Sequence, residues 1–428
     1  MGELKDGYVK YKNVNSCLFP MGYANGKHIV TIEGLNLPQM NSLQENFVYQ
    51  GGTQCGFCTP GFVVSAMCYF LNNQCFSLEK LIEYISGNIC RCTGYQGIKR
   101  ASLETIKFLE KSITTKNGDP IGYLKQLVEL NFIPEYFLSI PSRLIELNKK
   151  IKNEQNYSDV LVSGGTDLYV REWENLIKKE VRIIPKESDL KDIKLNKDEI
   201  EIGAAVTISE IEDSELMFNL IPELRKFLKL FGSKQIRHRA TIGGNIVNAS
   251  PIGDLINILL VLDARLILSN GKSLREVFLK DFYKGYKLID LKEDEIVKSI
   301  KIKIIKEKYF FNFKKVSRRT YLDIASVNSS IFMRVENGII EKINLSAGGV
   351  APIPLYLTET CNFLQGKILD EELVLEATEI AQSEISPISD VRGSKEYKSL
   401  LLRQLLISHF EKFAPNLFTN EYKKLLGV

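Results

Sequence analysis

The chain has 428 residues, 44% apolar and 25% charged, with a net charge of +4 spread over interspersed lysines and acids. That length holds two or three domains of about 100–200 residues, and the composition is that of an ordinary globular chain. The scattered charge gives no nucleic-acid footprint, and the longest apolar run, LINILLVLDARLIL, is cut by Asp263 and Arg265 and is too short for a bilayer. The polar start, MGELKDGYVKYK, has no signal-peptide core, and eight cysteines without an export signal point to a reducing cytoplasm.

Residues 1–36 are too short for a domain and read as strand fragments around a loop. Cys17, within them, reads as a small half-buried thiol. Residues 37–111 read as a helical domain with four paired cysteines: Cys55 and Cys58 in QCGFCTPG, Cys90 and Cys92 in NICRCTGY. After Cys58, the residues Phe62, Val63, Ala66, Met67, Phe70 and Leu71 form one stripe of a 3.6-residue period. After Cys92, Ile98, Ala101, Thr105 and Ile106 do the same. Ser77 caps and Gly87 stops a helix between them. Both pairs thus fall at helix N-termini, where free N–H groups and the positive dipole end favour thiolates. Four converging thiolates bind zinc or an iron–sulfur cluster. The C-x-C spacing suits zinc less and no histidine lies nearby, so spacing favours a [2Fe–2S] cluster while zinc and unliganded cysteines stay open. Cys68 fits an apolar helix face and reads as packing.

Residues 112–132, with KNGDP, read as a linker. From 133 the texture alternates between β and α. IPEYFLSIPSRLIELNKKI suggests a short strand and a helix from near Pro141. DVLVSGGTDLYV reads as a buried strand running into a glycine loop, IKLNKDEIEIGAAVTISEI as a hairpin, and 220–231 as a helix. A second glycine loop follows in TIGGNIVNASPIGDL. Glycine lets backbone approach a phosphate, and consecutive N–H groups form an anion nest. Neither loop fits G-x-G-x-x-G, so a Rossmann site is not indicated, and such loops are otherwise ordinary turns. His238, between Arg237 and Arg239, reads as surface in a positive cluster able to draw in phosphate. Residues 306–428 suggest a three-stranded sheet backed by helices, with a hairpin turn at 336–338.

QCGFCTPG, the helical spacer and NICRCTGY resemble the second iron–sulfur domain of the xanthine dehydrogenase family of molybdenum hydroxylases. SGGTDL and TIGGNIVNASPIGDL resemble the FAD segments of that family's flavin domain, and AGGVAPIP and SDVRGSKEY resemble its C-terminal flavoprotein domain. The resemblance runs through the chain after residue 13. It implies an α+β multidomain protein: a four-helix [2Fe–2S] domain at 37–111, a two-subdomain α+β FAD-binding domain at 133–305, and an α/β-sandwich C-terminal domain at 306–428. It implies cluster ligation by Cys55, Cys58, Cys90 and Cys92, and contact of Gln54 with a molybdopterin on a partner subunit. By the same resemblance Val162, Ser163, Gly164, Gly165, Thr166, Asp167 and Leu168, with Thr241, Ile242, Gly243, Gly244 and Asn245, hold the FAD pyrophosphate and ribose. Asn248, Ser250 and Asp254 add polar contacts, Phe231 and Lys314 lie near the isoalloxazine ring, and Val297 is a minor apolar contact.

Residues 1–36 resemble the end of a plant-type ferredoxin domain, in which Cys17 would be the fourth ligand of another cluster whose remaining ligands lie upstream or on another polypeptide. The implied role is an electron-transfer subunit of a hetero-oligomer with no catalytic acid, base or nucleophile of its own. Electrons would pass from a molybdenum-binding large subunit through [2Fe–2S] to FAD, and on to NAD or another acceptor. After Arg318 and Arg319, where many NAD-using relatives carry acidic residues, this chain has Thr320, Tyr321 and Leu322. The alternatives are a flavoprotein subunit of a carbon monoxide dehydrogenase or aromatic hydroxylase, and a non-catalytic assembly scaffold.

Overall fold

A computed structural model describes residues 1–115, 118–150, 160–184 and 189–418. The chain divides into two compact units: Met1–Ile183 with Gly232–Arg239, and Ile184–Phe231 with Ala240–Val428.

The first unit opens with the hairpin β1 (Gly2–Lys5) and β2 (Tyr8–Tyr11). Four helices follow: α1 (Ser42–Tyr49), α2 (Thr59–Asn72), α3 (Leu78–Ile85) and α4 (Gln96–Ser112). Their starts are written in the sequence. Asn41 and Gln44 close a reciprocal capping box on α1, Pro60 opens α2, and Ser77 caps α3 by accepting from Lys80 N. The stripes meet in one core in which Phe47, Phe62, Phe70, Leu81, Ile98 and Leu109 are buried. Each such side chain contributes roughly 1.5–3 kcal/mol relative to exposure. Cys68 lies in this core, as its helix face indicates, and burial pushes its thiol up to about 11.

The stretch expected as a linker carries a helix instead, α5 (Pro120–Glu129), whose Tyr123 and Leu127 are buried in the same core. Tyr123 Oη donates to Phe70 O at 2.6 Å. Lys116 and Asn117 of the KNGDP motif lie outside the described residues. The expected strand after Ile133 is a 3-10 turn, Glu135–Ser139, running straight into α6 (Ile140–Lys150). Short parallel strands β3 (Val160–Val162) and β4 (Val181–Ile183) complete the unit; only Val162 of β3 is buried. Asp159, at the start of the expected strand, lies outside the described residues.

The segment Gly232–Arg239 is anchored in this first unit by polar side chains. Arg237, fully buried, pairs with Glu83, and Lys234 lies 3.7 Å from the same carboxylate. Gln235 Nε2 donates to Ser65 Oγ at 3.3 Å, and His238 Nδ1 is 3.0 Å from Asn13 O. His238 is therefore interior rather than surface, and burial lowers its pKa well below the ordinary histidine value. Arg237 and Arg239 are likewise buried and engaged, so they do not form an open positive cluster. Cys17, in the 3-10 turn Ser16–Leu18, is exposed rather than half-buried.

Among the described residues the second unit holds two larger sheets and a two-stranded ribbon. The first has the order β5-β6-β11-β7-β8: β5 (Ile193–Asn196), β6 (Glu199–Gly203), β7 (Arg265–Ser269), β8 (Leu274–Phe278) and β11 (Ile296–Lys303). The expected hairpin is β5–β6, with a tight turn through Lys197 at φ 57°. A small ribbon, β9 (Tyr283–Gly285) with β10 (Leu288–Ile289), follows β8. The helix expected over 220–231 is the shorter Leu224–Leu228. The second sheet runs β12 (Phe310–Val316), β13 (Val327–Glu336), β14 (Ile339–Gly348) and β15 (Leu355–Tyr356), one short strand more than expected. Asn337 and Gly338, both at positive φ, make its central hairpin turn. Helices Glu371–Glu384 and Lys395–Phe413 pack Val374, Leu402 and Leu406 into a core with Val327, Ile331 and Leu345 of this sheet. Among the described residues no helix is long and apolar enough to cross a membrane.

Candidate functional site

The four paired cysteines come together at one end of α2 and α4. Cys58 is the N-cap residue of α2, and the Cys90–Cys92 loop enters α4 through Gly94 and Tyr95, both left-handed. Tyr95 Oη accepts from Cys90 N at 3.1 Å, and Tyr95 N donates to Thr93 Oγ1 at 3.2 Å, so the loop is braced on its own residues. Gly97 seats α4 against the preceding loop: a Cβ there would lie 2.1 Å from Gly51 O.

The sulfurs fall into two pairs. Cys92 Sγ lies 3.5 Å from Cys55 Sγ, and the Cys58 thiol is shifted by burial and by the neighbouring Cys90. Cys90 Sγ also accepts from Cys92 N at 3.4 Å and Thr93 N at 3.5 Å, and sits 3.2 Å from Thr93 Oγ1. The Thr93 hydroxyl is the main cause that brings Cys90 down to about 7, while burial and then the neighbouring Cys90 push Cys58 up to about 11. The Phe57 N–H lowers Cys55, and the Cys55 sulfur raises Cys92. Two close pairs with amide N–H groups aimed at sulfur fit a two-iron cluster, in which each iron takes two thiolates. A lone zinc draws four sulfurs around one point. Cys90 is buried, Cys58 half-buried, and Cys55 and Cys92 are exposed beside Gln54 and Phe57.

In the first unit, Val162 is buried at the end of β3, and the loop Ser163–Leu168 turns into the helical turn Leu168–Arg171. Gly165 has φ +74°, and Asp167 Oδ2 accepts from Arg171 Nε at 2.6 Å. Among the described residues the N–H groups of Gly164 and Gly165 donate to nothing, as an anion nest requires.

In the second unit, Thr241 caps the helix Ile242–Asn248 by accepting from Gly244 N at 3.3 Å. Gly243 lies so close to Ala204 that a Cβ would meet it at 2.6 Å. Gly244 is exposed, and Asn245 Oδ1 is buried without a partner, an acceptor left open for a ligand. Asn248 Oδ1 accepts from Lys287 Nζ at 2.9 Å, and Ser250 Oγ accepts from Ile252 N at 3.4 Å. Asp254 is engaged internally: Oδ2 accepts from Lys315 Nζ at 2.7 Å and Oδ1 from Asn328 Nδ2 at 2.5 Å. Phe231 is half-buried, and Val297 is buried on β11 beside a bulge. Lys314 and Lys315 lie on opposite faces of β12. Lys314 donates to Ser408 Oγ, and burial lowers its pKa. Lys315, not singled out from the sequence, reaches Leu230 O beside Phe231 at 2.8 Å. Its signal was the strand period, which sends neighbouring lysines to opposite sides.

Comparison with known proteins gives the same order of parts. Residues 31–103 match a [2Fe-2S] binding domain, 134–302 the FAD binding domain in molybdopterin dehydrogenase, and 311–413 the CO dehydrogenase flavoprotein C-terminal domain. Xanthine dehydrogenase 1 of Arabidopsis thaliana is 28% identical over 94% of this chain and 34% of its own length. Aldehyde oxidase 2 of Rattus norvegicus is 27% identical over the same shares. The chain thus spans about a third of the length of these curated relatives. Among solved structures, carbon monoxide dehydrogenase from Hydrogenophaga pseudoflava, lacking the Mo-pyranopterin moiety of its cofactor, is 26% identical with a TM-score of 0.55, over 58% of this chain and 88% of that one. Reconstituted CO dehydrogenase from Oligotropha carboxidovorans is 25% identical with a TM-score of 0.56, over 59% and 89%.

Fold and site together define an iron–sulfur flavoprotein. The chain belongs to the molybdenum hydroxylase family of oxidoreductases, with a [2Fe–2S] domain, an FAD-binding domain and a C-terminal flavoprotein domain in that order. The fold class and the two cofactors expected from the sequence are thereby met.

Proposed function

We propose that this chain is the electron-transfer subunit of a cytoplasmic, hetero-oligomeric molybdenum hydroxylase of the xanthine dehydrogenase type. The observation that carries the reading is the fusion of a [2Fe–2S] domain to both flavin domains on one polypeptide. When bound, the cluster supplies one-electron transfer and the flavin both one- and two-electron transfer. The residues of the chain hold, insulate and tune these groups. Cys55, Cys58, Cys90 and Cys92 ligate the cluster, and the N–H groups of Cys92 and Thr93 stabilise charge on Cys90 Sγ. Gln54 and Phe57, the latter 94% exposed, give this end of the unit a surface for a molybdopterin-bearing partner. Val162–Leu168 in the first unit takes the FAD pyrophosphate. In the second, Thr241–Asn245 with Asn248 and Ser250 contribute polar contacts, and Phe231, Val297 and Lys314 line the flavin's surroundings. Asp254 adds a further polar contact to FAD while paired with Lys315.

The test is the purified chain after anaerobic reconstitution with iron, sulfide and FAD. Flavin absorbance with an iron–sulfur shoulder is expected, and Cys90→Ser should remove the shoulder and keep the flavin. Stoichiometric zinc without iron would sink the cluster assignment. A second reading, a carbon monoxide dehydrogenase-type flavoprotein subunit, draws on the likeness to those chains over more than half of this one, and on Thr320-Tyr321-Leu322 after the paired arginines. Purine- or aldehyde-dependent reduction of NAD by the co-purified complex favours the first reading; carbon monoxide-dependent reduction of a dye but not NAD favours the second.

A further inference from the structure

The loop Ser163-Gly164-Gly165 is held by two side chains distant in sequence. Tyr23 Oη donates to Ser163 O at 2.6 Å, and Arg239 Nη2 donates to Gly164 O at 2.9 Å. The two holders are themselves stacked: the Arg239 guanidinium lies 3.8 Å from the centroid of the Tyr23 ring and 5.4 Å from that of Phe19. Arg239 is only 8% exposed, and its Nε has no partner. Gly22 permits the approach of the aromatic segment, since a Cβ there would lie 2.6 Å from Ile183 Cδ1 of β4. All these residues belong to the first unit. Residues 19–23 precede every matched family region, the first of which begins at 31.

The consequence follows from peptide geometry. In a planar trans peptide, the C=O of one residue and the N–H of the next point in opposite directions. Pinning Ser163 C=O onto Tyr23 turns the Gly164 N–H away from Tyr23. Pinning Gly164 C=O onto Arg239 turns the Gly165 N–H away from Arg239. Both N–H groups donate to nothing among the described residues, as do those of Thr166 and Asp167 further along the loop. The left-handed Gly165 supplies the change of backbone sign that an anion nest uses.

We propose that Tyr23 and Arg239 are positioning residues that hold the Ser163–Gly165 backbone with its N–H groups presented to a pyrophosphate, so that residues 19–23 belong functionally to the flavin site. This rests on the reading that Val162–Leu168 takes the FAD pyrophosphate. Arg239 acts through its hydrogen bond to a carbonyl, not by meeting the anion, which explains why a cation beside a phosphate loop is stacked on aromatic rings.

The experiment uses the full chain and four variants: Tyr23→Phe, Arg239→Met, Arg239→Lys and Gly165→Val. Dissociation constants for FAD and for riboflavin, which lacks phosphate, are read from flavin fluorescence, with cluster absorbance as the folding check. Losing one such hydrogen bond should weaken FAD about tenfold in Tyr23→Phe and Arg239→Met. Riboflavin affinity and cluster absorbance should hold, and Arg239→Lys, which keeps a donor, should recover part of the loss. Unchanged FAD affinity in both variants overturns the proposal. So does an equal loss for FAD and riboflavin, which marks general loosening. Gly165→Val separates the underlying reading: at φ +74° and with the Tyr169 ring 2.5 Å from a Cβ, it deforms the loop. Wild-type FAD affinity in that variant would mean the loop does not bind the pyrophosphate at all.

Discussion

Lys315 shows how much one side chain can carry. Its Nζ is shared among Asp254 Oδ2 at 2.7 Å, Leu230 O at 2.8 Å and Asp323 O at 2.9 Å, and the side chain is 2% exposed. It ties the residue before Phe231, the start of helix Asp254–Val261 and the loop after Arg319 to one cation. Burial raises the Asp254 carboxyl, opposed by Lys315 and Asn328. A buried pair of this kind adds little net stability, but removing one partner strands a charge and costs about 3–5 kcal/mol. Lys315→Met should therefore lower unfolding free energy by about that amount in urea titration, and adding Asp254→Asn should recover a substantial part. Equal stability of the single and double variants would show that the carboxylate is not the stranded charge. The motifs around Lys315 were legible because they are local; its role was not, because Leu230 and Asp254 reach it only through the fold. His238 was misread for the same reason: its partner, Asn13, is 225 residues away.

At the scale of elements, α2 and α4 are legible because their apolar stripes keep one period, and α3 because Ser77 is an ordinary cap; α1, with its Asn41 capping box, is not singled out by the sequence. The error over 112–132 has an equally plain cause. Asp119 and Pro120 are a helix start rather than turn residues, with Asp119 Oδ1 accepting from Gly122 N at 2.8 Å and Pro120 opening α5. What periodicity could not show is how closely α4 sits on its neighbour. Gly97 is in its first turn, five residues after Cys92, and Gly51 O occupies the space a Cβ would need. Gly97→Ala gains helix propensity of about 1 kcal/mol but forces backbone apart, which typically costs 1–3 kcal/mol. Strain should win, since the opposing atom is the Gly51 backbone carbonyl rather than a movable side-chain tip, and the carbonyl just before it, Gln50 O, accepts from Arg100 Nη2 at 3.0 Å. The expected outcome is a lower melting temperature and reduced iron content per chain, with FAD content kept. A variant with full iron and a raised melting temperature would show that α4 can shift at no cost to the cysteine loop.

The division of the whole molecule was the least legible feature. Gly232–Arg239 lies inside the stretch matched to the FAD domain, yet clusters with the helical unit through Arg237, Gln235 and His238. Interior polar anchoring of this sort leaves no period in sequence. It does leave a pH signature, because each unit also holds a histidine kept neutral, half-buried in the first and buried in the second. In the first, burial, then the Met1 ammonium and Arg143, lowers His28 to about 4. Its Nδ1 is 3.0 Å from Tyr11 Oη, and the rings of Tyr136 and Phe137 pack against it. In the second, burial, then Lys314 and Lys412, lowers His409 to about 3. There the acceptor is His409 Nδ1, 2.8 Å from Asn312 Nδ2, while Asn312 Oδ1 accepts from Lys412 Nζ at 3.0 Å. For both, the folded pKa lies below the unfolded value of 6.5, so the unfolded chain binds more protons between them. The contribution is complete above pH 6.5 and declines as pH falls toward the folded values. Between pH 6.5 and about 5 the carboxylates are still largely ionised in the unfolded chain, so the downward slope there comes from His28, His238 and His409, with Asp254, raised by burial, opposing it. Stability by urea titration should fall across that window. His409→Gln, which keeps an acceptor for Asn312, should be less stable at pH 7 but show a shallower slope. If its slope matches that of the unmodified chain, the acid sensitivity does not arise from His409.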